Sequence, residues 1–587
     1  MSTPLRVCVA LALVTLATVT TVSSSVAAGP PALTKPVQAT LTDQDPARLY
    51  SSPALAIDPK HPNVILAGYA DLRSRRCGFA RTEDGGRTWT RPETSLAAPG
   101  YPFCLQPDGG VIQTPMAFGG GGMVYMALNG WGNDDGPHIS GAILLARSAD
   151  RGTTWDTAIV RTGRGKTAEE AEDLRPVQSI AVDVKGGRDD VVYVTFALAR
   201  PNATTPNAVP AQPMVAVSRD GGRTFGEALN LADKFFEPQA IRDQALAAVT
   251  TTAPATNRPT AVTTVPPAGS KAAVPNQAAN FGSAASREGI IARVDAKGTA
   301  YVTWPTATAN IAAAPPGGLA LSKSTDGGRT WNTSLALPFS YENPVGHLAT
   351  TYPQMVVSPT GALHVVFSRN PTPDLAGAGE VFHRASYDGG KTWTAPNALS
   401  DDNPNSGAIQ GLPNLSVAPN GRIDVAWWDN RDSPGQPFND VYYTYSEDDG
   451  KTWSPNQRIT DQSVNRRFGA WGNNFDVTSL PGIASTNAYA LIGWDDTRNS
   501  DFRVNDTGTL GSGLQDVYVA AAQFQGIGGS SISSPLVAAG LLGLFLGGLA
   551  LLLMASASKR RRSAVGVDAD ATEVGPGESL RPPGRGR

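Results

Sequence analysis

The sequence is poor in histidine, cysteine and charge, and each shortage removes a class of function. Among 587 residues there are five histidines and three cysteines, and charged residues make up 17% with a net charge of −3. Nucleic-acid binders normally have a basic surplus, so no nucleic-acid partner is expected. No group of residues has metal-ligand spacing, and no phosphate-binding loop or nucleophile motif occurs. The sequence therefore predicts neither a metal nor a cofactor.

The N-terminus has the features of an export signal. Arg6 precedes an apolar, threonine-containing run from Val7 to Val22, and Val26-Ala27-Ala28 fits a small-residue cleavage site. We therefore predict a signal peptide over residues 1–28. The alternative is a first transmembrane helix that is never cleaved.

The cysteines suit an exported chain. Loss of the signal peptide removes Cys8 and leaves Cys77 and Cys104. Because disulfides persist in oxidising compartments, these two cysteines predict one disulfide. The alternative is a pair of free buried thiols.

The C-terminus has the pattern of a membrane anchor. Residues 535–555 carry no charge and are long enough to cross a bilayer as a helix. Lys559-Arg560-Arg561-Arg562 follows and places the tail, residues 556–587, in the cytoplasm. With residues 525–534 as a linker, we predict an exported single-pass membrane protein whose N-terminal part lies outside the cell.

One short pattern recurs six times between the two ends. It reads Ser or Thr, any residue, Asp, any residue, Gly, two of any residue, then Trp or Phe. Short polar side chains that bond backbone N–H groups, followed by glycine, are typical of a tight turn between strands. We therefore interpret the pattern as structural. Its aspartates are Asp84, Asp150, Asp220, Asp326, Asp388 and Asp448.

The copies recur about every 65 residues, which is near the size of one propeller blade with its loops. The one long interval contains residues 245–285, rich in Thr, Ala and Pro, and we predict a disordered insertion there. Strand patterns before each copy predict four-stranded antiparallel blades.

A further unit follows the last copy but lacks the pattern. We predict its first three strands at Phe475–Ser479, Ala488–Trp494 and Asp516–Ala521, with the outer strand supplied by residues around Pro36–Thr42. Closure by both termini would leave no exposed sheet edge. The prediction is an all-β propeller over residues 36–524 with seven blades favoured and six as the alternative.

The pattern resembles the Asp box, or bacterial neuraminidase repeat, of sialidase-like propellers, as in Ser324 to Trp331. The resemblance implies the propeller fold but no single activity. For a sialidase it would imply three arginines that bind a substrate carboxylate, a Tyr nucleophile paired with Glu, and an Asp acid/base. An Arg-Ile-Pro motif would be expected before the first box, together with six blades. The chain lacks that motif, which favours binding over hydrolysis.

A ligand site is expected on the face that carries the loops between second and third strands. Several of these loops begin with Asp and Arg, and they supply the candidate residues Asp71, Arg73, Arg369, Asp429, Arg431, Asp495 and Arg498. The alternative is a structural ion pair in each hairpin, between Arg431 and Asp440 and between Arg498 and Asp516. We expect a cell-surface propeller that binds a glycan or an envelope protein. The alternative is an exo-glycosidase of sialidase type acting on acidic sugars.

Overall fold

The short strands pair antiparallel with their sequence neighbours, as the turn-rich repeat requires. The computed structural model describes residues 30–41, 48–92, 96–105, 114–133, 141–164, 173–185, 189–199, 212–233, 289–306, 318–338, 353–369, 379–403, 406–434, 437–469, 479–500 and 514–524. The predicted signal peptide, the insertion and residues 525–587 lie outside them. Within the described residues, no helix is long and apolar enough to cross a bilayer.

Seven sheets follow one another along the chain. Strands β1 (Ala32–Leu33) and β2 (Val37–Gln38) come first. The first sheet contains β3 (Tyr50–Ile57), β4 (Ile65–Asp71) and β5 (Arg76–Thr82). The second contains β6 (Met116–Phe118), β7 (Val124–Gly130), β8 (Ala142–Ser148) and β9 (Asp156–Thr162). The third contains β10 (Asp173–Asp183), β11 (Val191–Ala199), β12 (Gln212–Ser218) and β13 (Leu229–Asn230).

The remaining sheets repeat this order. The fourth contains β14 (Ile291–Val294), β15 (Ala300–Thr306), β16 (Gly318–Ser324) and β17 (Asn332–Pro338). The fifth contains β18 (Gln354–Val357), β19 (Leu363–Arg369), β20 (Glu380–Ser386) and β21 (Asn397–Ala398). The sixth contains β22 (Gln410–Val417), β23 (Ile423–Asp429), β24 (Phe438–Ser446), β25 (Gln457–Arg458) and β26 (Val464–Asn465). The seventh contains β27 (Gly482–Ser485), β28 (Tyr489–Asp496) and β29 (Asp516–Gln523).

The sheets form a closed ring, so the favoured prediction of seven blades is confirmed. The first strands of successive blades contact one another, and β27 of the last blade contacts β3 of the first. A hydrophobic cluster fills each space between neighbouring blades; between blades seven and one, for example, Leu491 and Val517 pack with Tyr50 and Ile65. Burial of these side chains between sheets is the main favourable contribution to the fold.

The N-terminal strands complete the last blade, as predicted. Both pair antiparallel with β29: Ala32 lies opposite Gln523 and Val37 opposite Val519. The predicted range, Pro36–Thr42, contains β2 but not β1. The ring therefore closes by joining the two ends of the propeller region within one sheet.

The predicted first strand of the last blade is wrong by several residues. The strand is Gly482–Ser485 rather than Phe475–Ser479. A Cβ atom added to Gly482 would lie 2.7 Å from the carbonyl oxygen of Pro53 in β3. Close approach of two backbones at the ring closure thus selects the glycine-containing segment for the inner position.

Each Asp box is a closed set of hydrogen bonds. In the fourth box, Ser324 Oγ donates to Asp326 Oδ1 (2.8 Å) and accepts from the Gly328 N–H (2.9 Å). Asp326 Oδ1 also accepts from the N–H groups of Arg329 (2.9 Å) and Thr330 (3.0 Å), and its Oδ2 accepts from Thr330 Oγ1 (2.6 Å). The same threonine occurs in all six boxes, so it belongs to the repeat although the pattern above omits it.

The pKa values of the box aspartates reflect these bonds. Burial raises the pKa of Asp84, but hydrogen bonds from Thr88, Thr82 and the Arg87 N–H lower it to about 2. The pKa of Asp326 is lowered chiefly by Thr330. These carboxylates are acceptors committed to the turn, which agrees with a structural interpretation.

One seam between blades contains two histidines, whereas the second and fourth blades have tyrosine and leucine at the same registers. His364 Nδ1 lies 3.1 Å from His383 Nε2, and His364 Nε2 lies 3.0 Å from Asp449 Oδ1. Both histidines are buried, and a Cβ atom on the box glycine Gly450 would lie 2.7 Å from His383. Two neutral imidazoles satisfy this chain of bonds, whereas protonation of both rings would place two N–H groups face to face.

This pair should make the fold sensitive to acid. Burial, together with the nearby His364, lowers the pKa of His383 to about 3; burial also lowers the pKa of His364. The unfolded chain takes up these protons near pH 6.5, so stability is complete above that pH and declines as the pH falls towards 3. By linkage, the loss at pH 4.5 is about 2–3 kcal/mol for one such group.

The double variant His364→Tyr/His383→Leu should remove part of the acid sensitivity. It copies the pairs Tyr125/Leu145 and Tyr301/Leu321, which occupy the same registers in the second and fourth blades. We expect the melting temperature to fall less between pH 7.5 and 4.5 than in the parent chain. An equal fall in the variant and in the parent chain would refute the role of the pair.

Candidate functional site

The strand order separates two faces of the propeller. Loops between second and third strands, and the connections between blades, lie on one side, here called the front face. The six boxes join third and fourth strands and lie on the opposite side, the Asp-box face. The sequence-predicted site residues all lie at or beyond the front ends of second strands.

In the sixth blade, Asp429 and Arg431 belong to a local structure built around Trp427. Asp429 Oδ2 accepts from Trp427 Nε1 (2.9 Å) and Arg431 Nη2 (2.8 Å), and its Oδ1 accepts from the Arg431 N–H (2.8 Å). The guanidinium lies 4.2 Å from the centre of the Tyr442 ring and donates to Asp401 (2.6 Å). We call this arrangement the Trp-Asp-Arg motif.

The seventh blade repeats the Trp-Asp-Arg motif, but its aspartate is Asp496. Trp494 Nε1 donates to Asp496 Oδ2 (2.8 Å), and so does Arg498 Nη2 (2.8 Å). The guanidinium again lies 4.2 Å from a tyrosine ring, that of Tyr518. Of the two adjacent aspartates, the sequence interpretation selected Asp495, whose side chain points to the other face of the strand because side chains alternate along it.

The ion pairs proposed as the structural alternative are not formed between the expected partners. Arg431 binds Asp429 and Asp401, and Asp440 instead binds Arg458 (2.8 Å). Arg498 binds Asp496 and Asp461, and Asp516 instead binds Arg48 (2.7 Å). Each arginine follows its aspartate by two residues, so the short-range partner is geometrically favoured over the one across the hairpin.

The other candidates lie in two further blades. Asp71 ends β4 and accepts from Arg73 Nη2 (3.1 Å) and Ser74 Oγ (2.7 Å), which resembles a Trp-Asp-Arg motif without the tryptophan. Arg369 ends β19 opposite Glu380, and its side chain lies outside the described part. The candidates are therefore distributed around the front face rather than gathered into one site.

Asp495 lies at the seam where the ring closes. Its Oδ2 accepts from Ser51 Oγ (2.8 Å) in the first blade and from Ser479 Oγ (2.7 Å), while its buried Oδ1 has no hydrogen-bond partner within the described residues. A bulge between Ser51 and Ala54 brings this hydroxyl to the carboxyl. Burial raises the pKa of Asp495 to about 6, against the hydrogen bonds from both serines.

A channel of about 340 Å³ runs along the propeller axis. All seven blades contribute to its wall through their first strands or the residues just before them. The wall combines small and aliphatic residues with polar groups from Ser52, Gln178, Ser179, Arg293, Gln354, Asn414 and Ser479. Apolar surface with a small number of placed polar groups is the usual form of a small-ligand site.

Arg293 is the charged side chain of this wall. It donates to the carbonyl of Ala292 (2.7 Å) and, at 3.4 Å, to Ser179 Oγ. Among the described residues it forms no ion pair. Burial lowers the pKa of Arg293 to about 10, so the guanidinium stays charged at neutral pH. A half-buried guanidinium that lines a cavity and has no carboxylate partner can bind an anionic ligand through charged hydrogen bonds.

Glu380 is a second carboxyl on the front face with altered acidity. It opens β20, is 7% exposed, and accepts from the Val381 N–H (2.8 Å) through Oε1. Burial raises the pKa of Glu380 to about 7, and the nearby Asp402 also raises it. A carboxyl of this kind can hold a proton at neutral pH, as a general acid must.

The catalytic set implied by the resemblance does not line the channel. Among the described residues in its wall there is one arginine, and there is neither a tyrosine nor a glutamate. Arg293 and Gln354 were missed by the sequence interpretation because it examined the loops between second and third strands. A polar residue within an otherwise apolar first strand was the available signal.

Comparisons with known proteins agree with the architecture. The model of a family described as "BNR repeat-containing family member" matches residues 340–470. No curated protein sequence matches the chain. The family match and the six boxes confirm the resemblance to sialidase-like Asp-box propellers.

Solved structures similar to this chain include two sialidases and an arabinanase. Hadza microbial sialidase Hz136 is 14% identical over 78% of this chain and 73% of its own, with a TM-score of 0.41. Trypanosoma rangeli sialidase is 13% identical over 71% of this chain and 56% of its own, with a TM-score of 0.36. Penicillium chrysogenum alpha-L-arabinanase is 12% identical over 83% of this chain and 98% of its own, with a TM-score of 0.35. Such low identities and scores identify no activity.

Asp495→Asn should change how stability depends on pH. Because the folded pKa, about 6, exceeds the unfolded value near 3.9, Asp495 stabilises the fold below pH 4 and that contribution is lost as the pH rises through 6. By linkage, the variant should therefore gain about 2–3 kcal/mol relative to the parent between pH 4 and pH 8. Urea unfolding at both pH values measures this gain. Glu227→Gln, at an exposed position, should show none, and a pH-independent effect of Asp495→Asn would contradict the assignment.

Proposed function

We propose that this chain is an exported, membrane-anchored propeller that binds an acidic glycan in its axial channel. The observation that carries the proposal is Arg293, a half-buried guanidinium without a described carboxylate partner in a wall of amide, hydroxyl and apolar groups. Amides and hydroxyls suit sugar hydroxyls, and the guanidinium suits a carboxylate.

Export is supported by the cysteines as well as by the signal-like N-terminus. Cys77 and Cys104 form a disulfide, with Cα atoms 5.8 Å apart, and structural disulfides are typical of oxidising compartments. Anchoring rests on the apolar residues 535–555 and the basic residues that follow them.

Hydrolysis of an acidic glycoside is the second candidate, and Glu380 is the observation that favours it. Its raised pKa suits a general acid on the front face. A glycosidase also needs a second group to act on the sugar carbon. The described wall of the channel supplies no tyrosine or glutamate for that role, which is why binding is preferred.

Arg293→Gln should weaken the binding of acidic glycans. Removing a charged hydrogen-bond donor costs about 1.5–3 kcal/mol, which corresponds to a loss of affinity of about 10- to 150-fold. A glycan array with matched neutral and acidic sugars, probed with the full-length protein, measures the loss. Arg467→Gln, at an exposed arginine of the front face, is the control; equal binding by both variants would contradict the proposal.

A fluorogenic 4-methylumbelliferyl sialoside separates the two candidates. We expect no turnover by the full-length protein. Turnover that Glu380→Gln abolishes, with folding preserved, would replace binding by hydrolysis as the function.

A further inference from the structure

A second, larger cavity lies away from the axis, between the first and second blades. It has a volume of about 540 Å³ and opens on the front face, near the front ends of β4 and β7. Its wall combines aromatic rings with charged groups, whereas the axial channel is lined mainly by small and aliphatic residues. We call it the side cleft.

Aromatic rings form the floor of the side cleft. The rings of Tyr50 and Tyr69 meet edge to face with centroids 4.8 Å apart. Gly78 allows this packing, because a Cβ atom there would lie 2.9 Å from the Tyr69 ring. Phe103, at the rim, is partly exposed. Tyr50 and Tyr69 are buried (0% and 4% exposed) and support the wall, so Phe103 is the ring that offers the apolar contact required by the C–H face of a sugar.

The charges in the wall of the side cleft favour an anion. Two arginines line it, Arg76 and Arg91, together with one carboxylate, Asp71. That carboxylate already accepts bonds from Arg73 and Ser74. Arg91 donates to the Tyr50 hydroxyl and lies over its ring, 5.5 Å from the centroid. Arg76 is exposed and forms no ion pair among the described residues, so its guanidinium is available to a ligand.

The wall is held in shape before any ligand arrives. The Cys77–Cys104 disulfide joins β5 to the segment that carries Phe103. Arg75 reinforces this link: it donates to the Leu105 carbonyl (2.8 Å), and its guanidinium lies 4.4 Å from the centre of the Phe103 ring. A rigid wall lowers the entropy lost on binding.

We infer that the side cleft is a second saccharide site, which takes a sugar bearing a carboxylate, with the sugar ring against Phe103 and the carboxylate at Arg76. Its volume lies within the usual range of about 300–1,000 Å³ for small-ligand sites. A planar guanidinium can bind a carboxylate through two parallel hydrogen bonds, which a neutral sugar cannot accept equally well. The inference is independent of the axial channel and of any catalytic activity.

Protection of Arg76 from an arginine-specific reagent tests the inference on the unaltered, full-length protein. Phenylglyoxal labelling, read by mass spectrometry after proteolysis, should fall at Arg76 when glucuronate is present and should not fall with glucose. Labelling of Arg467 should stay constant in both. Equal labelling of Arg76 with and without glucuronate, or equal protection by both sugars, would overturn the inference.

Two substitutions test the same inference through the affinity of the protein for glucuronate. Arg76→Gln should weaken glucuronate binding by about 10-fold or more, as expected for loss of a charged hydrogen bond, and Phe103→Leu should weaken it while keeping an apolar side chain of similar size. Titration calorimetry measures both, with Arg467→Gln as the control. Unchanged affinity in Arg76→Gln would overturn the inference.

The proposals for the side cleft and for the axial channel can be refuted independently of each other. Glucuronate should still protect Arg76 in the Arg293→Gln variant, even if that substitution has no effect on glycan binding at the axis. Loss of protection at Arg76 in Arg293→Gln would assign the sugar to the channel and refute a second site.

Discussion

Pairing of the N-terminal strands with β29 is the constraint on which the rest of the propeller depends. A ring of seven sheets that stayed open would expose a strand edge and one apolar blade face at each end. Asp516, at the start of β29, strengthens the joint: it accepts from Arg48 (2.7 Å), from Thr40 Oγ1 (3.1 Å) and from Asn499 (2.9 Å). The axial channel exists only while the ring is closed, because its wall takes residues from every blade.

The same closure explains why a carboxyl with a raised pKa lies near the axis. Asp495 spans the seam between the last blade and the first through Ser51, where a bulge leaves Ser52 with a positive φ of 62°. Such backbone strain is tolerated where the surrounding structure fixes it. At this seam Ser52 and Ser479 also carry polar groups into the channel.

Features formed by residues close in sequence were predictable, and contacts between residues far apart in sequence were predictable only in part. The boxes, the blades and the disulfide follow from patterns in which the partners are close in sequence or are the only two available, as with Cys77 and Cys104. The choice between Asp495 and Asp496 failed because it depends on which face of β28 each side chain takes, a shift of one residue that composition does not reveal. The side cleft was not predictable, since it depends on how two blades pack side by side, and the sequence indicated Arg293 only as a polar residue within an apolar first strand.

The placement of charge on the front face restricts what it can recognise. The carboxylates of Asp71, Asp429 and Asp496 are each bound by an arginine two residues later, and Asp440 is bound by Arg458. These acids stabilise loops and cannot readily bind a cation or a sugar hydroxyl as well. Arg293 and Arg76, by contrast, have no described acidic partner, and each lines a cavity. Because a guanidinium can bind a carboxylate through two parallel hydrogen bonds, these two residues are the groups from which we propose a preference for acidic ligands.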